Sequence, residues 1–206
     1  MKKYDCIRKM LCGYDYIIRK IIGLCGGLKF IYLCILWGVY PTRGGRFIGK
    51  IVIRNTRKGK IRVGKNVVLQ ANFRMNPIGP ANPCLLDVRP GGEIEIGTGT
   101  GLTSAIISSA KKISIGKHCK IGGGVKIFDH NFHAMDANER RISKGDSKPR
   151  EVHVGDDVFI GTNAIILKGT YIGARSVVAA GSVVFGLNIP PDSLVRGNPA
   201  EIVVRK

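Results

Sequence analysis

VGDDVF-IGTNAI-ILKGTY-IGARSV-VAAGSV, the run from Val154 to Val183 read in sixes, decides the fold. Its first place is always Val or Ile (Val154, Ile160, Ile166, Ile172, Val178), and Val184 opens the next six. Its fifth place is small or β-branched: Val158, Ala164, Thr170, Ser176, Ser182. A strict spacing of six fits neither one face of a helix nor the alternation of a strand. It is the repeat of a parallel β-helix, in which each hexad forms one flat side and its first residue points into the core. The small fifth residue belongs near a corner, where a larger side chain would strike the neighbouring coil, and Gly eases the turn. The expected fold class is all-β, a parallel β-helix of hexapeptide repeats.

Before this run the rhythm is fainter. It starts near Ile51, with VGKNVV from Val63 and LQANFR from Leu69, and breaks over 76–83, whose Pro, Gly and Asn mark an outward loop. It resumes at Cys84 through PGGEIE, IGTGTG and LTSAII, shifts near Lys111, and runs through IGKHCK and IGGGVK to Ile127. FDHNFHAMDANERRISKGDS, residues 128–147, has no period at all, and the frame restarts at Lys148-Pro149. A long excursion in an otherwise regular solenoid is more often functional than decorative. Beyond Val184, Pro190-Pro191 is expected to end the coil, and LVRGNPAEIVV to fold back along it.

The 206 residues suit one domain with an appendage, divided here as an N-terminal segment, 1–48, and a β-helix domain, 49–206. The net charge of +19 is unevenly spread: residues 1–65 hold 16 Lys/Arg and 2 Asp/Glu, whereas 66–206 hold 17 and 12. The basic run Arg54 to Lys65 interleaves with repeat positions, so it reads as the solvated face of early coils and not as a nucleic-acid site. Six Cys show no CxxC and no metal-ligand spacing, which points to a reducing, cytoplasmic setting without disulfides. No cleavable signal stands out.

Within the N-terminal segment, Ile7, Met10, Leu11, Tyr14, Ile18, Ile21, Ile22 and Cys25 fall on one helical stripe, with Arg8, Lys9, Arg19 and Lys20 outside it. Gly26-Gly27 is expected to break this helix. Leu28 to Tyr40 is then too short to span a bilayer, which takes about 20 residues. A basic amphipathic helix followed by a short apolar piece suits contact of residues 1–40 with the inner face of a membrane. Packing on a neighbouring subunit is the plainer reading.

His118 and His153 stand at outward hexad positions and read as surface residues. His130 and His133 lie in the long loop beside Asp129, Asn131 and Asp136, where one imidazole could take a proton near neutral pH. Cys119 occupies a fifth, corner place and reads as a small buried residue.

The loop DHNFHAMDANER, the run VGDDVFIGTNAIILKGTYIGARSVVAAGSVV and the tail IPPDSLVRGNPAEIV resemble those of the hexapeptide-repeat acyltransferases. Within them, the likeness is to sugar O-acetyltransferases of the maltose and galactoside acetyltransferase group. The resemblance covers most of residues 51–204 and implies a left-handed β-helix, a homotrimer, acetyl-CoA as co-substrate, and a sugar or saccharide acceptor. The family's base lies in H-x-[aliphatic]-[Asp or His], which His133-Ala134-Met135-Asp136 matches, so His133 carries over as catalytic base. Asp129, His130, Asn131 and Asp136 are then expected to contact the acceptor. Acetyl-CoA would lie along Phe159, Gly161, Thr162, Ala179, Ala180 and Gly181. The Thr-Lys common in the family after the last corner is replaced by Phe185-Gly186, and Glu201 stands where an Arg is common. Phosphate contacts are therefore expected from Lys168, Arg196, Arg205 or Lys206. No residue clearly matches the Asn or Asp that often faces the base; Ser104, Ser108 and Ser109 are the nearest candidates.

Acetyl transfer to a capsule, exopolysaccharide or lipid-linked saccharide precursor is the reading these residues favour. Alternatives are a non-polysaccharide acceptor (an antibiotic, serine, a sugar-nucleotide amine) or an inactive scaffold. A zinc carbonic anhydrase on the same fold needs three His ligands; the close spacing of His130 and His133 does not suit it, and no metal is expected.

Overall fold

A computed structural model describes residues 2–36, 39, 43–55, 59–77, 82–142 and 148–203, with the side chains of 2–15, 19 and 23 excepted. Arg57, Arg205, Lys206 and the side chains of Ile7, Met10, Leu11 and Tyr14 thus lie outside the described residues. A helix, α1 (Lys2–Leu36), precedes a solenoid of three parallel sheets. Face I stacks Arg46–Gly49, Val68–Ala71, Gly101–Thr103, Lys120–Ile121, Phe159–Ile160, Val177–Val178 and Leu194–Gly197, and ends in Ala200–Val203. Face II stacks Ile51–Asn55, Cys84–Val88, Ile106–Ser109, Lys126–Phe128, Ile165–Leu167 and Val183–Phe185. Face III stacks Lys60–Val63, Glu93–Ile96, Ile113–Ile115, Val152–Val154, Tyr171–Ile172 and Asn188–Ile189. The chain visits I, II and III in turn, so each coil makes a triangle. This is the left-handed parallel β-helix.

The hexad rule is met residue by residue. Val154, Ile160, Ile166, Ile172, Val178 and Val184 are all 0% exposed, and the fifth-place residues Val158, Ala164, Thr170, Ser176 and Ser182 are buried beside them. Corner glycines stand where coils touch: a Cβ on Gly161 would lie 2.5 Å from the amide nitrogen of Ala180 one coil on. The frame shift near Lys111 falls between Ile106–Ser109 and Ile113–Ile115, at the edge joining faces II and III.

Three boundaries differ from expectation. The solenoid begins at Arg46, so the division between 48 and 49 falls inside its first strand. Gly26-Gly27 does not break the helix, which runs unbroken to Leu36. Two glycines cost a helix about 1 kcal/mol each relative to Ala, and packing outweighs this. A Cβ on Gly26 would lie 2.9 Å from Ile48, so the glycine lets α1 approach the first strand. Phe30 then meets Phe47 edge to face (4.8 Å), and Lys29 Nζ donates to the carbonyl of Gly49 (2.6 Å). A helix over the first strand also covers an edge that would otherwise invite pairing. Finally, Pro190-Pro191 turns a corner instead of ending the coil: Leu194–Gly197 still joins face I in parallel. Only Ala200–Val203 folds back, antiparallel to it.

Candidate active site

The long excursion leaves face II after Phe128 and re-enters face III at Val152, so it projects from the II–III edge. Its root is Asp129. That side chain is 0% exposed, and its carboxylate accepts from Ser109 Oγ (2.7 Å), Ala110 N (2.7 Å) and Lys111 N (2.8 Å), with His130 Nδ1 at 3.0 Å. Burial alone would push its pKa up. The His130 hydrogen bond and those from Ala110, Ser109 and Lys111 outweigh it and hold the carboxyl below its ordinary value. The expected acceptor contact at Asp129 is therefore corrected: with its oxygens committed and no surface, it anchors the loop to the preceding coil.

His130 is also withdrawn from the surface, 5% exposed, with its ring 4.9 Å from Phe132, which in turn meets Phe128 edge to face. Its Nε2 is buried without a hydrogen-bond partner among the described residues. His130 links the loop root to its apolar wall and touches no open space, so the chain as it stands gives it no acceptor contact. Asp136 is exposed and caps the short helix α2 (Ala137–Arg141), accepting from Asn138 N and Glu139 N (both 2.9 Å). Asn131 is half-buried. His133 is exposed, on the stretch between the Asp129 anchor and the Asp136 cap.

The sites predicted for acetyl-CoA collect on a different edge. Gly161, Thr162, Ala179, Ala180 and Gly181 form successive corners where face I turns into face II, stitched by Gly161 N to Val178 O (2.8 Å) and Gly181 N to Thr162 O (2.9 Å). Gly181 has φ +70° and nothing within 4 Å of where its Cβ would stand, so the groove there is open. Phe159 projects from face I, 48% exposed. Arg196 continues this edge one rung beyond Ala179, whose amide bonds Val195 O (2.8 Å). Lys168 does not join them. It lies at the II–III edge with Arg150, whose guanidinium donates to Lys168 O (3.4 Å) and covers Phe185 (5.2 Å). Arg150 was missed because nothing local marks it; the coil stacking brings it beside Lys168.

A second group that the sequence did not single out extends the I–II edge. The excursion over 72–83 leaves at that edge, where Asn72 Oδ1 holds Arg74 N (3.0 Å) and Met75 N (3.2 Å), and Asn76 Nδ2 donates to Thr103 Oγ1 (3.3 Å). Gln70, Met75, Asn76, Thr103, Lys120 and Phe159 line a cleft of about 430 Å³ that climbs from the second coil to Phe159. A larger groove, about 530 Å³, lies on face III, opposite this edge, among Arg62, Glu95, Ser114 and His153. None of the predicted site residues borders it.

The remaining candidates are structural. His118 is exposed at a corner; His153 stacks on Tyr171 (4.6 Å) and bonds Ser114 Oγ (2.8 Å), and burial lowers its pKa. Cys119 is buried, its Sγ donating to Gly155 O (3.1 Å), and burial raises its pKa, the reverse of what a nucleophile needs. Among the described residues no three His, Cys, Asp or Glu side chains converge on a point that could hold a metal ion.

Asp129→Asn should cost about 1–3 kcal/mol, because an amide NH₂ then faces donors that had a carboxylate. The sign of the pH effect follows from the lowered pKa. The carboxylate's contribution is complete above the ordinary Asp value near ~3.9 and is lost as pH falls through the lower folded value. Thermal melts across pH should show the gap between wild type and variant closing on acidification. A constant gap would mean that charge is not what holds the loop root.

The bacterial transferase hexapeptide family (six repeats) matches residues 151–186. A hexapeptide-repeat-containing acetyltransferase of Vibrio cholerae is 32% identical, with a TM-score of 0.55 over 68% of this chain and 71% of that one. WbbJ of Escherichia coli (strain K12), named as a lipopolysaccharide biosynthesis O-acetyl transferase, is 29% identical over 194 residues, 90% of this chain and 91% of that protein. The polysialic acid O-acetyltransferase OatWY, 22% identical, shares the fold, with a TM-score of 0.55 over 80% of this chain and 83% of that one. With the Vibrio cholerae acetyltransferase 32% identical along more than two thirds of its length, the chain belongs to the hexapeptide-repeat acetyltransferases.

Proposed function

We propose that the protein moves an acetyl group from acetyl-CoA to a hydroxyl of a saccharide, in the form of a capsule, exopolysaccharide or lipid-linked precursor, and does so as a homotrimer. The observation that carries this reading is the placement of the two half-sites at opposite edges of face II. His133 rises from the II–III edge and the Gly161–Ala180 groove follows the I–II edge. One outer row of face II is apolar, and the row beside it passes from Arg54, Asp87 and Ser108 in the early coils to apolar residues in the later ones. Val52, Leu85, Ile106, Ile165 and Val183 stand in one row interrupted only by Lys126, and Leu167 and Phe185 in the next. Face III carries instead Arg62, Glu95, Ser114 and His153 in register. An apolar outer row favours burial against copies of itself. Three prisms turned with face II inward set the II–III edge of one against the I–II edge of the next. His133 then meets the groove of its neighbour, and Lys168 and Arg150 approach the same crevice with charge suited to the phosphates of CoA.

In that crevice the saccharide lies in the cleft below Phe159, among Asn76, Thr103 and Lys120. The neutral imidazole of His133 removes the hydroxyl proton as the oxygen attacks the thioester carbonyl. Backbone N–H groups at the corners hold the oxyanion. As the carbonyl re-forms, the C–S bond breaks and CoA leaves as its thiol, the proton returning from His133. The thioester is already activated, so no acyl-enzyme is required. The test is release of free thiol from acetyl-CoA against a panel of sugars and lipid-linked oligosaccharides. Release that no saccharide accelerates, alongside acceleration by serine or an amine, would overturn the acceptor assignment.

A further inference from the structure

One side of α1 is occupied by the solenoid: Phe30 and Cys34 close the open end of the first coil, and Gly26 and Lys29 lie against its first strand. The other side is bare. Ile17, Ile21, Leu24, Leu28, Ile31 and Ile35 recur at intervals of four and three, and their exposure runs from 49% at Ile31 to 78% at Leu24. At 1.5 Å per residue the stripe is about 27 Å long. The free edge of a first strand faces along the coil axis, so a helix laid over it turns this stripe away from the stack of coils.

The same end of the molecule is basic. Residues 1–65 hold 16 Lys/Arg against 2 Asp/Glu. Lys20 flanks the stripe, and Arg46 and Lys50 are exposed on the first coil. We infer that α1 is an interfacial docking helix that lies flat on an anionic lipid surface, its Ile17–Ile35 stripe among the acyl chains and the first coil's cations at the headgroups. A second copy of the helix would meet the stripe with the same positive charge, whereas anionic lipid neutralises it. Lying in the plane also fits the composition, since among the described residues no helix is long and apolar enough to cross a membrane.

This docking stands the coil axis upright on the membrane. On the reading of the I–II cleft as the acceptor site, that cleft begins at the second coil and climbs three rungs to Phe159, about 15 Å at the spacing of β-strands. Its lower end thus lies one coil above the helix, at the membrane-facing end of the solenoid, the side from which a lipid-linked saccharide would enter.

The test is sedimentation of the full-length protein with vesicles of phosphatidylcholine alone, or of phosphatidylcholine mixed with phosphatidylglycerol. Wild type is expected to sediment with the mixed vesicles, less so as salt rises. Leu24→Glu/Leu28→Glu is expected to fold normally, because both side chains are solvent-exposed, and to partition about tenfold or more weaker. Its thiol release with soluble sugars is expected to be unchanged, so loss of lipid binding is separable from failure of the acetyl-transfer reading. Vesicle binding that the double variant retains, or a lipid-free assembly of wild type that the double variant abolishes, would overturn the inference; the second result would assign the stripe to another copy of the chain.

Discussion

His133→Ala should fold, melt at the wild-type temperature and bind acetyl-CoA, yet transfer acetyl about 10²–10⁴-fold more slowly, the range a positioned general base contributes. The expectation of unchanged stability follows from where the side chain is: His133 is exposed, between an anchored root and a capped turn, with no place in the core. His130→Ala provides the contrast. Its ring is buried, bonds the Asp129 carboxylate and packs on Phe132, so its removal should lower the melting temperature along with activity. Measuring turnover and melting together separates the two histidines. If His133→Ala keeps near wild-type turnover, the loop's exposed imidazole is not the base.

The core was readable because a hexad states its burial locally: each first-place residue from Val154 to Val184 is inward whatever lies elsewhere in the chain. The loop was readable for the complementary reason, as the place where that statement stops. What could not be read depended on which residues meet one coil away. Asp129 looks like a polar neighbour of two histidines; its partners at Ser109 to Lys111 lie about one coil earlier, across the frame shift that hides the register. Arg150 meets Lys168 and Phe185 by the same stacking. Gly26-Gly27 misled differently. Intrinsic propensity says break, whereas the first strand needs a helix surface without side chains, and that need is tertiary. The apolar row of face II shares this origin, since Val52, Leu85, Ile106, Ile165 and Val183 become one surface only once the coils are in register.

That surface leads to the second large effect. Ile106→Glu/Ile165→Glu places two carboxylates on either side of Lys126 in the apolar row, where one cation cannot neutralise both and association would bury the excess charge, so the protein should become monomeric. The core beneath is untouched: both side chains point outward, between the buried Ile107 and Ile166 of the same strands. The monomer should therefore keep its fold and its melting transition while losing acetyl transfer, although His133 and the Gly161–Ala180 corner are intact in every chain. A stronger form of the test uses two variants that fail for different reasons. His133→Ala lacks the base, and Ala180→Trp fills the groove at an exposed corner. Each alone should be inactive. Co-expressed and assembled together, they should recover part of the activity, because some crevices then pair an intact loop from one chain with an intact groove from the next. Mixed assemblies as inactive as either parent, with subunit exchange verified by mass, would mean that each chain carries its whole site, and that face II brings copies together without completing the chemistry.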